Sequence, residues 1–317
     1  MRYEPIPNWP TLPPGIAFSD VVSAAVDSRG EVWVFHRGDP PMLVFDQSGR
    51  FLRSWGSGLF DRPHGLTIGP DDSLYCTDDF GHAVHKFTRD GELVWTLGTR
   101  GKPSDTGIAG FDYRTIRGGG PFHFPTNVAL GEDGTVYVSD GYGNARIHVF
   151  TADGKFVRSW GEPGEGPGQF NVPHAVTVDL RGRVIVSDRE NSRLQFFTPD
   201  GRLLTQWTDV ARPCDVWVDR EGLLYVAELG FQAGIKAWPW KEPGWPGGRV
   251  TVFTPDGDIV ARWGGGRNPM SPGDFFAPHD IWGDGNGGLY ISEVARVAGC
   301  AEAGYPDAPV LRKFARV

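Results

Sequence analysis

The feature that most constrains this 317-residue sequence is a short pattern that occurs six times. Each copy has an apolar stretch, a turn rich in Gly and Asp, and a second apolar stretch that ends near Ser-Asp or its equivalent. The copies are AAVDSRGEVWVF from Ala24, LTIGPDDSLYCTD from Leu66, VALGEDGTVYVSD from Val128, VTVDLRGRVIVSD from Val176, VWVDREGLLYVAE from Val216 and IWGDGNGGLYISE from Ile281. Alternating apolar residues on both sides of such a turn are typical of a β-hairpin.

Further strand-like stretches, such as RIHVFTADGKFVRSWG, follow most copies, so each repeat supplies about four strands, which is one blade of a propeller. The 45 Gly, 26 Pro and 20 Phe agree with many turns and large side chains on pleated strands. We therefore predict an all-β, six-bladed β-propeller, with residues 1–317 as a single domain. Either residues 311–316 or the N-terminal segment supplies the outer strand of the last blade.

Two stretches interrupt the repeat, near residues 100–120 and 231–247. Both are rich in Gly, Pro or aromatic residues. We predict that they are long loop insertions on one face of the propeller, where they frame a pocket.

The charge pattern excludes several classes of protein. The net charge of −8 is spread over interspersed acids and bases, so we expect no nucleic-acid partner. No apolar run approaches the roughly 20 residues of a membrane span, so we expect no membrane partner.

The first residues lack a signal-peptide pattern, and three cysteines (Cys76, Cys214 and Cys300) are too few for a disulfide scaffold. These observations predict a cytoplasmic protein and leave its oligomeric state open.

Aligning the six repeats brings three histidines into one register. The alignment uses the central residue of the second strand, and these residues are Trp33, Tyr75, Tyr137, Ile185, Tyr225 and Tyr290. Eleven residues before them, where the innermost strand begins, stand Val22, His64, Thr126, His174, Cys214 and His279. Each of the three histidines directly follows a proline, which stiffens the approach to the side chain by fixing φ.

Alternate blades of a six-fold ring lie about 120° apart, so His64, His174 and His279 should converge on one point of the axis. Three imidazoles with an open fourth position are typical of a catalytic zinc site, and imidazole also suits iron, nickel and copper. The alternative is three unrelated histidines in turns, but the shared register and preceding proline favour the metal.

The remaining histidines, His36, His82, His85, His123 and His148, fall outside the register, and we interpret them as surface or packing residues. Cys214 shares the register. A small buried hydrophobic role suits it better than a metal role.

Residues just beyond the second strands should surround the mouth of the channel. Arg37, Arg189 and Tyr142 occupy such positions. Two guanidinium groups near a metal predict a small anionic substrate, because arginine binds carboxylates through two hydrogen bonds. A phenol close to cations loses its proton more readily and can serve as a general base, so Tyr142 is the candidate. Asp280 either orients a ligand or binds a hard cation such as calcium.

The segments FHRGD, RPHGL, SDGYGNARI, VPHAVTV, SDRENSRLQFF and APHDI resemble the peptidyl-α-hydroxyglycine α-amidating lyases, a family of NHL-repeat propellers. The resemblance runs from about Val22 to about Glu293. It implies that His64, His174 and His279 are zinc ligands, that Tyr142 is the catalytic base, and that Arg37 and Arg189 are active-site arginines. It also implies a structural calcium site formed by Asp280 and the carbonyls of Ala24 and Leu66.

By this resemblance the reaction cleaves the C–N bond of an N-acyl α-hydroxyglycine to give an amide and glyoxylate. The sequence departs from the family where Gly143 replaces a disulfide cysteine beside the tyrosine, and it shows no monooxygenase domain. A small carbinolamide, such as an N-acyl or N-carbamoyl α-hydroxyglycine, is therefore the expected substrate. Two alternatives remain open: a zinc-dependent hydrolase or lactonase, and a non-catalytic NHL propeller that serves as a binding platform.

Overall fold

A computed structural model describes residues 1–110, 112–231 and 245–317. These residues form six antiparallel four-stranded sheets, so the prediction of an all-β chain with the six blades of a β-propeller is confirmed. The structure groups them into two compact units: Met1–Ser57 with Ala211–Val317, and Gly58–Val210.

The first unit contains three blades. Its strands are β1 (Tyr3–Ile6), β2 (Val21–Val26), β3 (Val32–His36), β4 (Met42–Phe45), β5 (Phe51–Trp55), β18 (Pro213–Val218), β19 (Leu224–Glu228), β20 (Arg249–Phe253), β21 (Ile259–Gly264), β22 (Pro278–Gly283), β23 (Gly288–Glu293) and β24 (Leu311–Arg316). The sheet orders are β2-β3-β4-β5, β18-β19-β20-β21 and β22-β23-β24-β1. The last blade therefore uses both segments that the sequence offered, since β24 is its third strand and β1 its fourth.

The second unit contains the other three blades. Its strands are β6 (Pro63–Ile68), β7 (Leu74–Asp78), β8 (Ala83–Phe87), β9 (Leu93–Gly98), β10 (Asn127–Leu130), β11 (Val136–Asp140), β12 (Arg146–Phe150), β13 (Phe156–Trp160), β14 (Pro173–Val178), β15 (Val184–Asp188), β16 (Arg193–Phe197) and β17 (Leu203–Trp207). Within each blade the strands pair in chain order. Two 3-10 turns, Tyr113–Thr115 and Arg189–Asn191, interrupt the connections.

Burial falls from the inside of each blade to its outside. Every residue of β11 is buried, whereas Phe156 and Val157 of the outer strand β13 are about half exposed. The second strand is covered on both faces by neighbouring blades, which explains its continuous apolar sequence. The outer strand has one open edge and carries polar or charged residues between its apolar ones, which discourages pairing with another chain.

The first predicted insertion, near residues 100–120, lies in the connection between β9 and β10. Between β9 and β10 the described residues contain only an isolated bridge, Ala109 with Asp112, and the 3-10 turn Tyr113–Thr115. The second predicted insertion, 231–247, lies largely outside the described residues, which lack 232–244.

Across the described part of the chain, no helix has the length and apolar character needed to cross a membrane.

Candidate metal centre and active site

The three register histidines all occupy the second position of an innermost strand. His64 lies in β6, His174 in β14 and His279 in β22, each directly after the proline that begins the strand. In all three blades the pairing register with the second strand shifts at this point. Such a bulge turns a side chain away from the regular pleat. The strand start therefore gives each imidazole its direction.

The imidazoles are buried and close together. His64, His174 and His279 expose 1%, 2% and 4% of their surface. One potential ligand atom from each lies within 4.8 Å of those of the other two. The ring centroids of His64 and His174 are 5.0 Å apart. Three imidazole nitrogens at this spacing could hold one metal ion.

Backbone carbonyls orient two of the three rings. Nδ1 of His64 lies 2.7 Å from the carbonyl oxygen of Thr126, and Nδ1 of His279 lies 2.7 Å from that of Val22. Since a carbonyl oxygen only accepts, each Nδ1 donates the hydrogen bond. In a neutral ring Nε2 then holds the lone pair that a metal ligand needs. Thr126 and Val22 each stand, in the next blade, at the aligned position that holds histidine in blades two, four and six. The residue at this position in one blade therefore orients the histidine of the blade before it.

The Tyr142 hydroxyl lies between two of these rings, 3.1 Å from Nε2 of His64 and 2.9 Å from Nε2 of His174. Arg189 donates a third hydrogen bond to the same oxygen, from Nη1 at 3.2 Å. The phenol carries one proton and can donate it to only one imidazole. The other imidazole either keeps its Nε2 lone pair for a metal ion or donates to the phenol oxygen in its Nε2–H tautomer.

A neighbouring carboxylate also holds the Arg189 side chain in place. It begins the 3-10 turn after β15 and is 7% exposed. Its Nε donates to the Glu190 carboxylate at 2.7 Å, and its guanidinium carbon lies 5.2 Å from the centre of the Tyr142 ring. Glu190 is not one of the aligned repeat positions, so the sequence analysis did not identify it as a partner of Arg189. The structure thus brings Arg189 to Tyr142, and the catalytic roles of both residues stay predictions.

Arg37 lies just after β3 in the other unit, where its Nη1 is 3.9 Å from Oδ2 of Asp20. Burial raises the pKa of Asp20, and the Arg37 charge lowers it. The role of Arg37 toward substrate stays a prediction.

Asp280 is buried next to a second carboxylate that the sequence analysis missed. Ser23 Oγ donates to Asp280 at 2.7 Å and the Ala24 amide donates at 3.1 Å. Burial and then the Asp215 charge raise the pKa of Asp280, and burial raises the pKa of Asp215 to about 6. Aligning the repeats one position beyond the histidine register would have revealed Asp215, since it follows Cys214 as Asp280 follows His279.

Cys214 and the five remaining histidines make contacts that are typical of packing residues. Cys214 is fully buried, as the hydrophobic interpretation expects. The five histidines outside the register each make a hydrogen bond away from the three-histidine cluster. In the order His36, His82, His85, His123 and His148, these partners are the Pro40 carbonyl, the Phe124 amide, the Thr96 hydroxyl, the Ser104 carbonyl and the Asp140 carboxylate.

Comparison with known proteins agrees with this fold. A family profile described as "6-bladed beta-propeller" (DUF5128) matches residues 126–237. A solved structure described as "Streptogramin B lyase structure" superposes with a TM-score of 0.61 at 14% identity, covering 95% of this chain and 94% of that chain. At this identity the superposition indicates a shared fold alone.

Several curated proteins are similar in sequence. NHL repeat-containing protein 3 of Mus musculus is 39% identical over 198 residues, which cover 58% of this chain and 53% of that protein. Peptidylglycine alpha-amidating monooxygenase of Rattus norvegicus is 31% identical over 327 residues, covering 90% of this chain and 30% of that protein. Peptidyl-alpha-hydroxyglycine alpha-amidating lyase 1 of Drosophila melanogaster is 32% identical over 237 residues, covering 63% and 41%. The chain spans between about a third and somewhat over half of these relatives' lengths. Together with the six blades, these similarities show a six-bladed β-propeller whose sequence is similar to NHL repeat-containing protein 3 and to proteins named for peptide α-amidation.

Proposed function

We propose that this protein is a metal-dependent carbon–nitrogen lyase. Its substrate would be a small N-acyl or N-carbamoyl α-hydroxyglycine, and its products an amide and glyoxylate. The observation that carries the proposal is the Tyr142 hydroxyl, which contacts Nε2 of His64, Nε2 of His174 and the Arg189 guanidinium at once. The similarity to proteins named as peptidyl-alpha-hydroxyglycine alpha-amidating lyases supports the type of reaction.

The metal would be held by His64, His174 and His279. Their donor set fits zinc, because imidazole nitrogen is a preferred zinc ligand and because the Nδ1 hydrogen bonds of His64 and His279 leave Nε2 for coordination. When bound, such an ion supplies Lewis acidity toward a substrate oxygen. Iron, nickel or copper could take the same nitrogen ligands.

The protein's own groups account for binding and proton transfer. Arg189, and by the sequence argument Arg37, would hold the substrate carboxylate. Tyr142, once deprotonated, would take the proton of the α-hydroxyl group. The O–H electron pair becomes the C=O bond of glyoxylate, the C–N bond breaks, and the amide nitrogen receives the proton from Tyr142. The atoms balance without water.

A structural calcium ion at Asp280 is a second proposal. Asp215 supports it, since it gives the site a second buried carboxylate, and carboxylate oxygens are the ligands that calcium prefers. The contact of Ala24 with Asp280 in the structure runs through the amide N–H, whereas the resemblance implied a role for the Ala24 carbonyl.

We also propose a cytoplasmic location, supported by Cys76, Cys214 and Cys300 as buried thiols.

Glyoxylate release from a panel of α-hydroxyglycines, run in ¹⁸O-labelled water, tests the proposed reaction. We expect glyoxylate and an amide, with no solvent oxygen in the amide, and loss of activity after chelation. Solvent oxygen in the acyl product, as a carboxylic acid, would instead indicate a hydrolase. No turnover combined with less than about half an equivalent of transition metal would favour a binding platform.

A further inference from the structure

The bulge at His64 is longer than the bulges at the other two histidines. In β14 and β22 the pairing with the second strand resumes at the residue directly after the histidine, whereas in β6 it resumes only at Leu66. His64 and Gly65 therefore both lie in the bulge, opposite Thr77 of β7. A buried backbone amide needs an acceptor, and in a bulge the ladder does not supply it. The Gly65 amide thus depends on a contact outside the strand pairing.

The Thr77 hydroxyl supplies that contact. Thr77 is fully buried, and its Oγ1 accepts a hydrogen bond from the Gly65 amide. The same hydroxyl donates to the carbonyl oxygen of Thr126 at 2.9 Å, which is also the acceptor for Nδ1 of His64. A Cβ atom at Gly65 would lie 2.6 Å from this carbonyl oxygen and 2.9 Å from Thr77 Oγ1, so only glycine permits the close approach. Thr77 therefore holds both the backbone after His64 and the group that orients its ring.

The Thr126 carbonyl has further support within the same unit. Thr126 is fully buried, and its amide donates to the Ser139 carbonyl at 2.8 Å. Its hydroxyl lies 2.8 Å from Ser139 Oγ and 3.2 Å from the carbonyl oxygen of Pro173. Pro173 directly precedes His174. The Thr126 backbone thus links the Nδ1 bond of His64 to the strand start that carries His174.

We propose that Thr77 is a positioning residue that fixes the direction of His64 Nε2 in the metal centre. The inference rests on the metal site of the proposed function and is independent of the reaction catalysed there. Hydrogen-bond partners of a ligating histidine orient its ring and strengthen metal binding. Thr77→Val keeps the branched shape of the side chain but removes the acceptor of the Gly65 amide and one donor to the Thr126 carbonyl.

Zinc binding to the metal-free protein tests this without turnover. Competition with a chromophoric chelator would measure the zinc affinity of the wild type, Thr77→Val, Thr77→Ser and Gly65→Ala. The matched control is Thr67→Val, because Thr67 lies in the same strand as His64 and donates to the Val128 carbonyl of the following blade at 2.6 Å. Urea denaturation of the same metal-free samples measures their stability. Glyoxylate release from N-acetyl-α-hydroxyglycine would be measured on the zinc-loaded wild type.

Thr77→Val should bind zinc about 10- to 100-fold more weakly than the wild type, the usual effect of losing a group that supports a metal ligand. Gly65→Ala should also weaken zinc binding, because its Cβ atom displaces the Thr126 carbonyl. Thr77→Ser keeps the hydroxyl group and should retain the wild-type zinc affinity. Thr67→Val should retain that affinity as well, although it loses stability in urea like Thr77→Val.

Wild-type zinc affinity in Thr77→Val overturns the inference and leaves the metal site in place, and if that variant does not fold, the same result in Gly65→Ala does so. An equal loss of zinc affinity in Thr67→Val overturns it too, because the effect would then follow stability alone. A wild type that binds no zinc contradicts both the inference and the metal site. The expected affinities without glyoxylate release support the role of Thr77 and contradict the proposed reaction.

Discussion

The Tyr142 hydroxyl carries a single proton, yet two imidazole nitrogens lie within 3.1 Å of it and Arg189 donates to it from a third direction. The phenol can donate its proton to only one of these nitrogens. An ion shared by the histidines would take the Nε2 lone pairs of both rings and would leave the phenol oxygen beside the reacting atoms. The acid–base role proposed for Tyr142 follows from this arrangement.

Tyr142→Phe tests that role. Removal of the hydroxyl should lower kcat by about 10²–10⁴, the usual contribution of a general base, while the metal content stays at the wild-type value. Steady-state glyoxylate release and metal analysis of the same preparation measure the two effects. Tyr137→Phe, a buried tyrosine in the same blade, serves as the control. Wild-type kcat in Tyr142→Phe would remove the residue from the proton transfer.

In most blades a carboxylate side chain stands at the end of the second strand. It holds the loop before the innermost strand, on which the histidines lie. In five blades this side chain accepts a hydrogen bond from a backbone amide in the loop that leads into the innermost strand. The residues are Asp78, Asp140, Asp188, Glu228 and Glu293, with amides of Asp61, His123, Asn171, Ala211 and Phe276 as donors. In the first blade Nδ1 of His36 accepts from the Ser19 amide in the same way. The acidic residue that ends each of these repeats therefore fixes the loop before the innermost strand, and we call this contact the loop clamp.

Asp78→Ala should be strongly destabilising. It removes the acceptor of three backbone amides, those of Asp61 at 2.8 Å, Arg62 at 2.8 Å and Gly81 at 3.0 Å. Asp61 and Arg62 directly precede the Pro-His pair of β6. We expect the free energy of unfolding to fall by about 3 kcal/mol in urea denaturation. The exposed Asp90→Ala should change it by less than ~0.5 kcal/mol. Equal effects of the two substitutions would contradict the clamp.

The buried pair of Asp215 and Asp280 should make the stability of the chelated protein depend on pH. Burial raises the pKa of Asp215 to about 6, compared with about 3.9 in an unfolded chain. Between these values the folded state binds more protons, so the free energy of unfolding should fall as pH rises from about 4 to about 6, by up to roughly 3 kcal/mol.

Chemical denaturation across this pH range measures the effect. Asp215→Asn should flatten the dependence, because one ionising group is gone and the pKa of Asp280 is no longer raised by its neighbour. Calcium added at pH 7.5 should raise Tm more in the wild type than in Asp215→Asn. Identical pH profiles of the two proteins would count against the carboxylate pair.

For the whole molecule, the repeat pattern was sufficient to predict the fold, because hairpin periodicity and turn residues are local signals. It also predicted that the second unit's His64 and His174 would meet, since a constant offset in the repeats places them at equivalent strand positions. The proline before each histidine marked the start of a strand, as the structure has it.

What the sequence could not show depends on non-local contacts. The bulge at each histidine and the Nδ1 bond to a register residue of the next blade involve residues far apart in the chain. Glu190 has no marked position in the repeats, so its contact with Arg189 had to come from coordinates. Asp215 shares the repeat position of Asp280 and could have been found by extending the alignment one residue.

The most direct test of the metal centre is metal content and X-ray absorption on purified wild type and on the His64→Ala, His174→Ala, His279→Ala triple variant. We expect about one equivalent of a divalent transition metal in the wild type, bound by three imidazole nitrogens at about 2.0–2.1 Å if it is zinc, and loss of that ion in the variant. A variant that retains the ion, or a wild type whose metal shows fewer than three imidazole ligands, would contradict the account.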